Sequence, residues 1–527
     1  MKKVSLLLLW LLVSQGASFS QILIQDTVYW DTSNYVMVDN VVVSSTGCLI
    51  IEAGTHIHTD AQYHIIVYGN MQVMGDVGDS VYFNGMNASG TLYGGGIRIH
   101  HQGMATADVA FQCCVFEWMG THSLNPWDSL GAIAITGPGN TQFKGCRFEY
   151  NSSLKNGGAI HLSYSNLEVL QTTFLANESN YYGGAVYIAT HDTVHISDCI
   201  FSANQSRNHG GAIYSTLCPL WLEHNLFEEN KAINNAQGNY TLALGGAIYL
   251  KHNYGGVKVG HNVFRNNLSL AAVYLTTQES SFVNNLIHNN AGIGLMGGHS
   301  GSYNFYVNNT IARNEMYGIF APSPNELIVN CIVWLNGFAN GFGQIMWLDT
   351  LPPWVINSCV SQGYLGPSIG ITTQNPNFAN PSQVSGIIAQ ASATNWELLS
   401  GSSCINTGLN TIPGFSLPLF DLNGNPRIIG PAVDIGAYET DLATGVHSKQ
   451  AGSIQAYPNP VSDLLFLNMT GAELVEIELL DLLGKRVLWQ VSRPDEALRL
   501  GHLPSGQYIL RVKPEGEQPE LFKIIKM

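Results

Sequence analysis

Few residues in the middle of the chain have the types and spacing that acid–base chemistry needs. Glycoside hydrolysis uses a pair of carboxyl groups, and Ca²⁺-assisted elimination needs an acidic cluster with an Arg or Lys base. Between residues 90 and 410 the aspartates are instead scattered singly, at Asp108, Asp128, Asp192, Asp198 and Asp349. The sequence therefore favours a binding or structural role over catalysis, and it predicts no metal and no cofactor.

A weaker catalytic candidate is a group of basic and aromatic residues that precede a recurring Gly-Gly pair. Lys155, Arg207 and His209 could supply the base and the cation of a metal-free polysaccharide lyase. Tyr181 and Tyr182 belong to the same group. Because these residues occupy equivalent positions of a repeat, we expect their side chains to share one ridge. A corner of variable polar residues would look the same.

Four tyrosines make a better candidate surface. Tyr187, Tyr214, Tyr249 and Tyr274 each follow an apolar residue in a segment of period-2 alternation, which directs their side chains outward. If successive turns lie about 4.8 Å apart, these side chains form an aromatic strip that suits sugar stacking or a protein interface. The alternative is that Tyr is a favourable strand residue whose stacked pairs stabilise a sheet.

A repeat of about 25 residues must position these groups. The motif G-G-A-[IV] occurs at residues 157–160, 183–186, 210–213 and 245–248. Between its copies lies F-x-x-N, with Phe at 148, 174, 201, 227 and 264, so that the spacings are 26, 27, 26 and 37. The last spacing contains an insertion at residues 231–244. Such a repeat without helical periodicity predicts a parallel β-helix.

A second column of small or amide residues lies two positions before the Phe column. Stacked Asn side chains can hydrogen-bond to each other along such a column, and Cys or Thr fits the same inward space. The column contains Cys114, Cys146, Thr172, Cys199, Asn225, Asn262, Asn285, Asn309, Cys331 and Ser358.

These motifs resemble known surface proteins. The pairing of G-G-A-[ILV] with F-x-x-N resembles the repeat of the polymorphic outer membrane proteins. Residues 49–57, 65–74 and 81–83 look like the opening coils of exported β-helices of the pectate-lyase-like superfamily, and residues 421–440 are similar to a segment that closes such helices. The resemblance implies a right-handed parallel β-helix over residues 21–440 and says little about activity.

The C-terminal part differs in pattern. After a polar linker at 441–453, residues 454–527 hold about seven short strand candidates, which predict a small Ig-like β-sandwich. Its motifs resemble, in their order, the type A sorting domain of type IX secretion in the Bacteroidota. The residues that carry the resemblance are Pro458, Asn459, Pro460, Asp481, Gly484, Gly506, Tyr508, Lys523 and Lys526. An ordinary accessory sandwich is the alternative.

The N-terminus and the overall composition bear on location. Residues 1–20 predict a signal peptide, because Lys2 and Lys3 precede an apolar run too short to span a bilayer. A formal net charge of -15 argues against a nucleic-acid partner. Nine cysteines without C-x-x-C argue against a zinc site or a disulfide framework. A bridge among Cys113, Cys114 and Cys146, on neighbouring coils, stays open.

The sequence as a whole predicts an all-β protein that is secreted or displayed at the outer-membrane surface. The resemblance implies the type IX secretion machinery as a partner and, once the sorting domain is removed, release or attachment to surface lipopolysaccharide. The first functional hypothesis is a non-catalytic adhesin or glycan-binding module, with an extracellular glycan or a host or bacterial surface protein as partner. The alternatives are a polysaccharide lyase or glycoside hydrolase, and a structural surface component.

Overall fold

The computed structural model describes most of the chain, in two compact units. One unit consists of Met1–Asn423 with Arg427–Thr440, and the other of Gly424–Pro426 with Asp441–Met527. The predicted signal peptide, linker residues 442–453 and insertion residues 235–242 lie outside the described residues. Those described are 21–59, 63–85, 94–101, 108–120, 130–234, 243–252, 256–277, 279–297, 303–337, 343–347, 351–441, 454–457, 461, 464–469, 475–481, 486–493, 498–501, 503–504, 506–514 and 520–526.

The first unit is a coil whose turns add one strand each to three parallel sheets. Alternate strand residues are buried, as in Ile160–Ser163, where Ile160 and Leu162 face the core. This period-2 pattern is the one that the G-G-A-[IV] segments predict. The first sheet also contains four two-residue strands that precede the Gly-Gly corner.

The strands of the three sheets have the following bounds. The first sheet consists of Ile22–Ile24, Val41–Val43, Ile65–Val67, Ile97–His100, Ile133–Thr136, Ser152–Ser153, Ile160–Ser163, Glu178–Ser179, Val186–Ala189, Gln205–Ser206, Ile213–Thr216, Lys231–Ala232, Ile248–Lys251, Leu268–Thr276, Ala291–Gly297, Ile319–Phe320 and Ile345–Met346. The second consists of Thr27–Trp30, Cys48–Glu52, Asn70–Met74, Asp108–Gln112, Asn140–Lys144, Asn166–Leu170, Val194–Ser197, Leu220–Glu223, Val257–Gly260, Glu279–Val283, Tyr303–Val307, Leu327–Val329, Trp354–Ile356 and Ser368–Ile369. The third consists of Asn34–Met37, His56–Thr59, Val81–Asn84, Cys114–Glu117, Arg147–Glu149, Thr173–Leu175, Ile200–Ser202, Leu226–Glu228, Val263–Arg265, Leu286–His288, Thr310–Ala312, Ile332–Trp334 and Cys359–Val360.

The Phe column forms the centre of the core. Seven buried rings, from Phe83 to Phe264, stack in register with centroids 4.6–5.0 Å apart. This distance is the spacing of hydrogen-bonded strands, so one ring per coil fills the interior without a gap. The column continues as Ile287, Ile311 and Val333, which confirms the register predicted from the sequence.

A ladder of buried asparagines runs beside the Phe column. Each Nδ2 donates to the Oδ1 of the next Asn at 2.8–3.0 Å and to a backbone carbonyl. Each Oδ1 also accepts a backbone N–H from the preceding coil, so the buried amides are paired. Its members are Asn151, Asn177, Asn204, Asn230, Asn267, Asn290, Asn314 and Asn336. The second column predicted from the sequence forms a similar ladder from Asn225 to Asn309.

The residue before each ladder position has a positive φ near 55°, which turns the chain at the corner. Non-glycine residues tolerate this left-handed conformation poorly, and Asn tolerates it best. At several corners of the later coils both positions are Asn, as in the doublets Asn266-Asn267 and Asn284-Asn285. The second Asn of each doublet points inward to the ladder, and the first points outward.

The outward corner asparagines hold a returning segment, residues 375–440, which runs back along the outside of the last coils. Within it, Phe378–Asn380 pairs with Asn395–Leu398 in an antiparallel hairpin, and Ala391–Ala393 form one 3₁₀ turn. The corner side chains donate from Nδ2 to backbone carbonyls of this segment at 2.7–3.0 Å. The pairs are Asn266 to Ile388, Asn284 to Phe420, Asn289 to Val384, Asn308 to Asp434, Asn330 to Leu409 and Asn357 to Thr407.

The second unit is a small β-sandwich of two antiparallel sheets, as predicted. One sheet consists of Ile454–Tyr457, Leu464–Met469 and Leu498–Arg499, and the other of Val475–Asp481, Arg486–Ser492, Gly506–Pro514 and Glu520–Lys526. Apolar side chains of both sheets, among them Leu465, Leu498, Ile477 and Leu510, share one core.

The Asn ladder generates a test of the fold. Asn204→Ala removes hydrogen bonds to Asn230, Phe174 and Asn177 inside the coil. We expect the free energy of unfolding to fall by about 3 kcal/mol, because buried partners lose their bonds. Denaturant unfolding followed by circular dichroism measures the change.

The matched control for this prediction is Asn166→Ala. It breaks a similar cross-coil amide pair with Asn140, but at the solvent-exposed surface. This variant should stay within about 0.5 kcal/mol of the parent. Equal losses in the two variants would contradict a stabilising role for the buried ladder.

Candidate ligand-binding surfaces of the coil

The tyrosine strip (Tyr187, Tyr214, Tyr249 and Tyr274) lies on the outer face of the first sheet. Its residues are register partners in four successive coils. The ring centroids are 5.5, 5.0 and 4.7 Å apart along the strip. His161 extends the stack below Tyr187 at 4.9 Å. The column predicted from the repeat is therefore in register.

The strip is less open than the sequence predicts, because neighbouring rings cover its centre. Tyr182 lies 4.7 Å from Tyr214, and His209 stacks on Tyr249 at 4.8 Å. Tyr214 and Tyr249 retain only 7% and 8% of their surface, whereas Tyr187 and Tyr274 are half-buried. Burial raises the pKa of the central tyrosines above the ordinary value. A ligand could reach the ends of the strip more readily than its middle.

The basic residues before the Gly-Gly corner lie in separate surroundings. Arg207 pairs with Glu178, with Nη2 and Oε1 2.9 Å apart. The charge of Lys155 acts on His161, and that of Lys251 on His209. Burial lowers the pKa of His209 to about 4, and its Nδ1 accepts a hydrogen bond from the backbone N–H of Leu244. A neutral imidazole held in this way packs beside Tyr249, and a catalytic role of these residues stays a prediction.

A polar column on the outer face of the second sheet was not recognised from the sequence. Its members are register partners in five successive coils. The first three of them also line a cleft of about 510 Å³. The cleft forms where the small side chain of Ala110 interrupts a row of longer ones, and Asn140 and Asn166 form its wall. The polar column consists of Gln142, Glu168, His195, Trp221 and Lys258.

Charged and aromatic groups meet in this column. The imidazole of His195 lies between two carboxylates, with Glu168 Oε1 3.9 Å from Nδ1 and Glu223 Oε2 3.9 Å from Nε2. The ring of Trp221 stands edge-on to His195 at 6.0 Å, and the Lys258 ammonium lies 5.2 Å from the centre of the Trp221 ring. Trp221 remains 40% exposed. The column therefore offers hydrogen-bond donors, acceptors and an aromatic edge to solvent.

The signal for this column was present in the repeat. Its positions follow each other by 26, 27, 26 and 37 residues, which are the spacings of the Phe column six residues downstream. Extending the register to every strand position would therefore have placed Glu168, His195 and Trp221 in one row. Their different chemical types concealed the row, since only the repeated Tyr and Phe were visible as a motif.

Comparison with known protein families gives a separate match in each of the two units. A family model described as right handed beta helix region matches residues 65–264, and one described as secretion system C-terminal sorting domain matches residues 455–526. The chain is a right-handed β-helix protein with a type IX secretion sorting domain. The sorting domain implies interaction with the type IX secretion machinery and export to the cell surface or the extracellular space.

Several solved structures are similar to the β-helix protein. The crystal structure of the periplasmic alginate epimerase AlgG is similar at a TM-score of 0.38 and 12% identity, over 62% of this chain and 85% of that chain. No curated protein matches. Among the described residues, no helix is long and apolar enough to cross a membrane.

Several predicted sorting residues lie on paired strands of the sorting domain. Asp481 pairs with Tyr508 across one sheet, Gly506 pairs with Lys526, and Lys523 pairs with Ile509. The Tyr508 hydroxyl donates to the carbonyl of Pro504 at 2.9 Å. The pairings of Gly506 with Lys526 and of Ile509 with Lys523 hold the C-terminal strand in the sheet. The other predicted residues, Pro458, Asn459, Pro460 and Gly484, lie outside the described residues.

The β-helix protein also contains a buried carboxyl group. Glu326 accepts hydrogen bonds from Asn304 Nδ2 and the Tyr306 hydroxyl, both at 2.9 Å, and is 1% exposed. Burial raises its pKa to about 7. In the described parts of the chain, no three His, Cys, Asp or Glu side chains are placed to hold a metal ion. Glu326 is thus a carboxyl group inside the coil that can bind a proton. Its hydrogen-bond donors Asn304 and Tyr306 are both neutral.

Glu326 generates a pH prediction. The folded protein keeps a proton that the unfolded chain releases near pH 4.5, so this residue's contribution to stability falls as the pH rises from about 4.5 to about 7. Glu326→Gln removes that titration while it keeps an acceptor for Tyr306. We expect it to unfold at higher denaturant than the parent at pH 8, by on the order of 2–3 kcal/mol, and to equal the parent near pH 4.5.

Denaturant midpoints at pH 4.5 and pH 8 check this prediction. Glu279→Gln removes a carboxylate from an exposed strand position and controls for the change in net charge. A Glu326→Gln variant that differs from the parent by the same amount at both pH values would show that Glu326 does not titrate in this window.

Proposed function

We propose that the β-helix protein is a non-catalytic extracellular binding protein, an adhesin, that holds a glycan along its second sheet. The observation that carries the proposal is the polar column beside the cleft, in which the Trp221 ring stands next to His195 and the carboxylates. Trp edges and faces pack on the apolar faces of sugars, while amides and carboxylates bind their hydroxyl groups. A glycan chain laid along the column would meet a new polar side chain in every coil.

The acidic character of the protein narrows the ligand class. Glu168 and Glu223 lie on this face, and the whole chain carries a formal net charge of -15. A polyanionic glycan would meet repulsion here, so the proposal favours a neutral or amino-sugar polymer. After removal of the sorting domain, attachment to surface lipopolysaccharide would display this face outside the cell.

A binding measurement tests the polar column. The full chain is applied to an array of neutral, cationic and anionic glycans, and a glycan that binds is then titrated against Trp221→Ala. Loss of the aromatic contact should weaken binding about tenfold or more. The matched control is Trp354→Ala, because Trp354 is 46% exposed and lies four coils beyond Lys258 in the same register, outside the polar column. Equal affinity of Trp221→Ala and the parent would remove the polar column as the binding site.

The tyrosine strip is the second candidate surface for the same function. The observation that supports this candidate is that Tyr187 and Tyr274, at the two ends of the strip, are only half-buried. Tyr187→Ala with Tyr274→Ala should lower glycan affinity without loss of stability if the strip binds the ligand. Tyr214→Ala with Tyr249→Ala should instead lower the free energy of unfolding by about 3 kcal/mol or more, because these rings are buried. Thermal melts run beside the binding titrations separate the two effects.

An enzyme acting on an extracellular polysaccharide is the second candidate function. The placement of His195 3.9 Å from both Glu168 and Glu223 favours it, since an imidazole and carboxyl groups are the side chains that general acid–base catalysis uses most. A glycan that is bound by the parent and shortened over hours would establish this function in place of simple binding. His195→Ala would then abolish the shortening and leave the bound glycan intact.

A further inference from the structure

The last coils of the third sheet are covered on the outside. One column of side chains on this sheet points outward, and in the middle coils its members Arg147 and Ile200 are exposed to solvent. Its later members Thr310, Ile332 and Cys359, which are register partners, are all buried. The returning segment provides the cover, because the N–H of Ala437 donates to Thr310 Oγ1 at 3.0 Å and Gly436 packs on Ile332.

Two cysteines meet where this cover joins the last coil. Cys359 ends the outward column, and Cys404 belongs to the returning segment, where its carbonyl accepts the N–H of Ile435 at 2.8 Å. Both side chains are fully buried, and the two thiols lie close enough to interact directly, while the Cys359 thiol donates to the Gln374 carbonyl at 3.3 Å. Cys359 and Cys404 are separated by 44 residues of chain, and their backbones hydrogen-bond to different segments. The spacing of neighbouring strands therefore does not fix the distance between the two cysteines.

A second pair of neighbouring cysteines provides a contrast. Cys114 and Cys146 occupy one inward column on adjacent coils of a parallel sheet. Such positions lie about 4.8 Å apart with parallel side chains, which is wider than the roughly 3.5–4.5 Å between the Cβ atoms of a disulfide. Their sulfurs donate to the backbone carbonyls of Gln112 and Phe111, as the Cys359 sulfur does to that of Gln374. The strand spacing is therefore the feature that disfavours a bridge between Cys114 and Cys146.

We propose that Cys359 and Cys404 form a disulfide bond in the exported protein, which fastens the returning segment to the last coil. Each thiol loses a proton, and the two electrons reduce a disulfide oxidant, either oxidised glutathione or a thiol oxidoreductase, to two thiols. Disulfides form in the compartments outside the cytoplasm, and the sorting domain sends this chain there.

Burial determines when the two steps take place. Because both sulfurs are fully buried in the folded protein, the oxidant must reach them before the returning segment closes over the last coil. One of the two cysteines, as its thiolate, attacks the oxidant and releases its first thiol. The other cysteine then loses its proton, attacks that sulfur and releases the second thiol. The bond closes a long loop of the unfolded chain, so it disfavours unfolding.

Peptide mapping tests the proposal directly. The full chain is exported in an expression host, denatured without reductant, alkylated and cut with trypsin. No Lys or Arg occurs between Arg313 and Arg427, so one peptide carries Cys331, Cys359 and Cys404. We expect this peptide to bear one alkyl group and to lack two hydrogen atoms. Cleavage after Glu397 should then leave two fragments joined until reductant is added. Three alkyl groups, or a bridge that includes Cys331, would overturn the proposal.

Stability measurements test what the bond does. Reductant should lower the melting temperature of the parent by several degrees. In the control Cys114→Ser/Cys146→Ser, reductant should lower the melting temperature by the same amount as in the parent. Cys359→Ser/Cys404→Ser should melt at the temperature of the reduced parent, and reductant should not change its melting temperature. A parent whose melting temperature does not respond to reductant would contradict a fastening role.

Discussion

The register between successive coils is the constraint on which the rest of this structure depends. It is held by the buried Asn ladders, in which each amide bonds its counterpart in the next coil at 2.8–3.0 Å. A shift by one residue would break every link of a ladder and turn the Phe column outward at the same time. Because both penalties act together, one register is selected over the whole length of the coil.

The same register also determines which side chains are neighbours on the surface. Every outward position becomes a column of side chains at strand spacing, so residues far apart in the chain become neighbours. On the first sheet this brings tyrosines into a stack that buries its own centre. On the second sheet it brings an amide, carboxylates, an imidazole and an indole together. The difference between a closed stack and an open row decides which face can meet a ligand.

The returning segment shows how the coil is finished. Corner asparagines with positive φ turn the chain and use their outward amides to bind the returning backbone. The buried ion pair of Arg427 with Glu439, 3.1 Å apart, lies in the same segment. One residue type thus serves two needs, since Asn accepts the left-handed corner and also supplies a donor there. A disulfide from Cys359 to Cys404 would add a covalent link to these hydrogen bonds.

The sequence by itself determined the coil, its inward columns and the sorting domain. Phe148 to Phe264 and Asn225 to Asn309 repeat one side-chain type once per coil, and stacking requires such repetition. Only the tertiary structure decided which outer faces stay open. Tyr214 is buried by Tyr182 of a neighbouring coil, and Cys359 is covered by a segment that returns from far along the chain. Periodicity specifies contacts between equivalent positions, whereas these contacts join non-equivalent ones, and no spacing in the sequence encodes them.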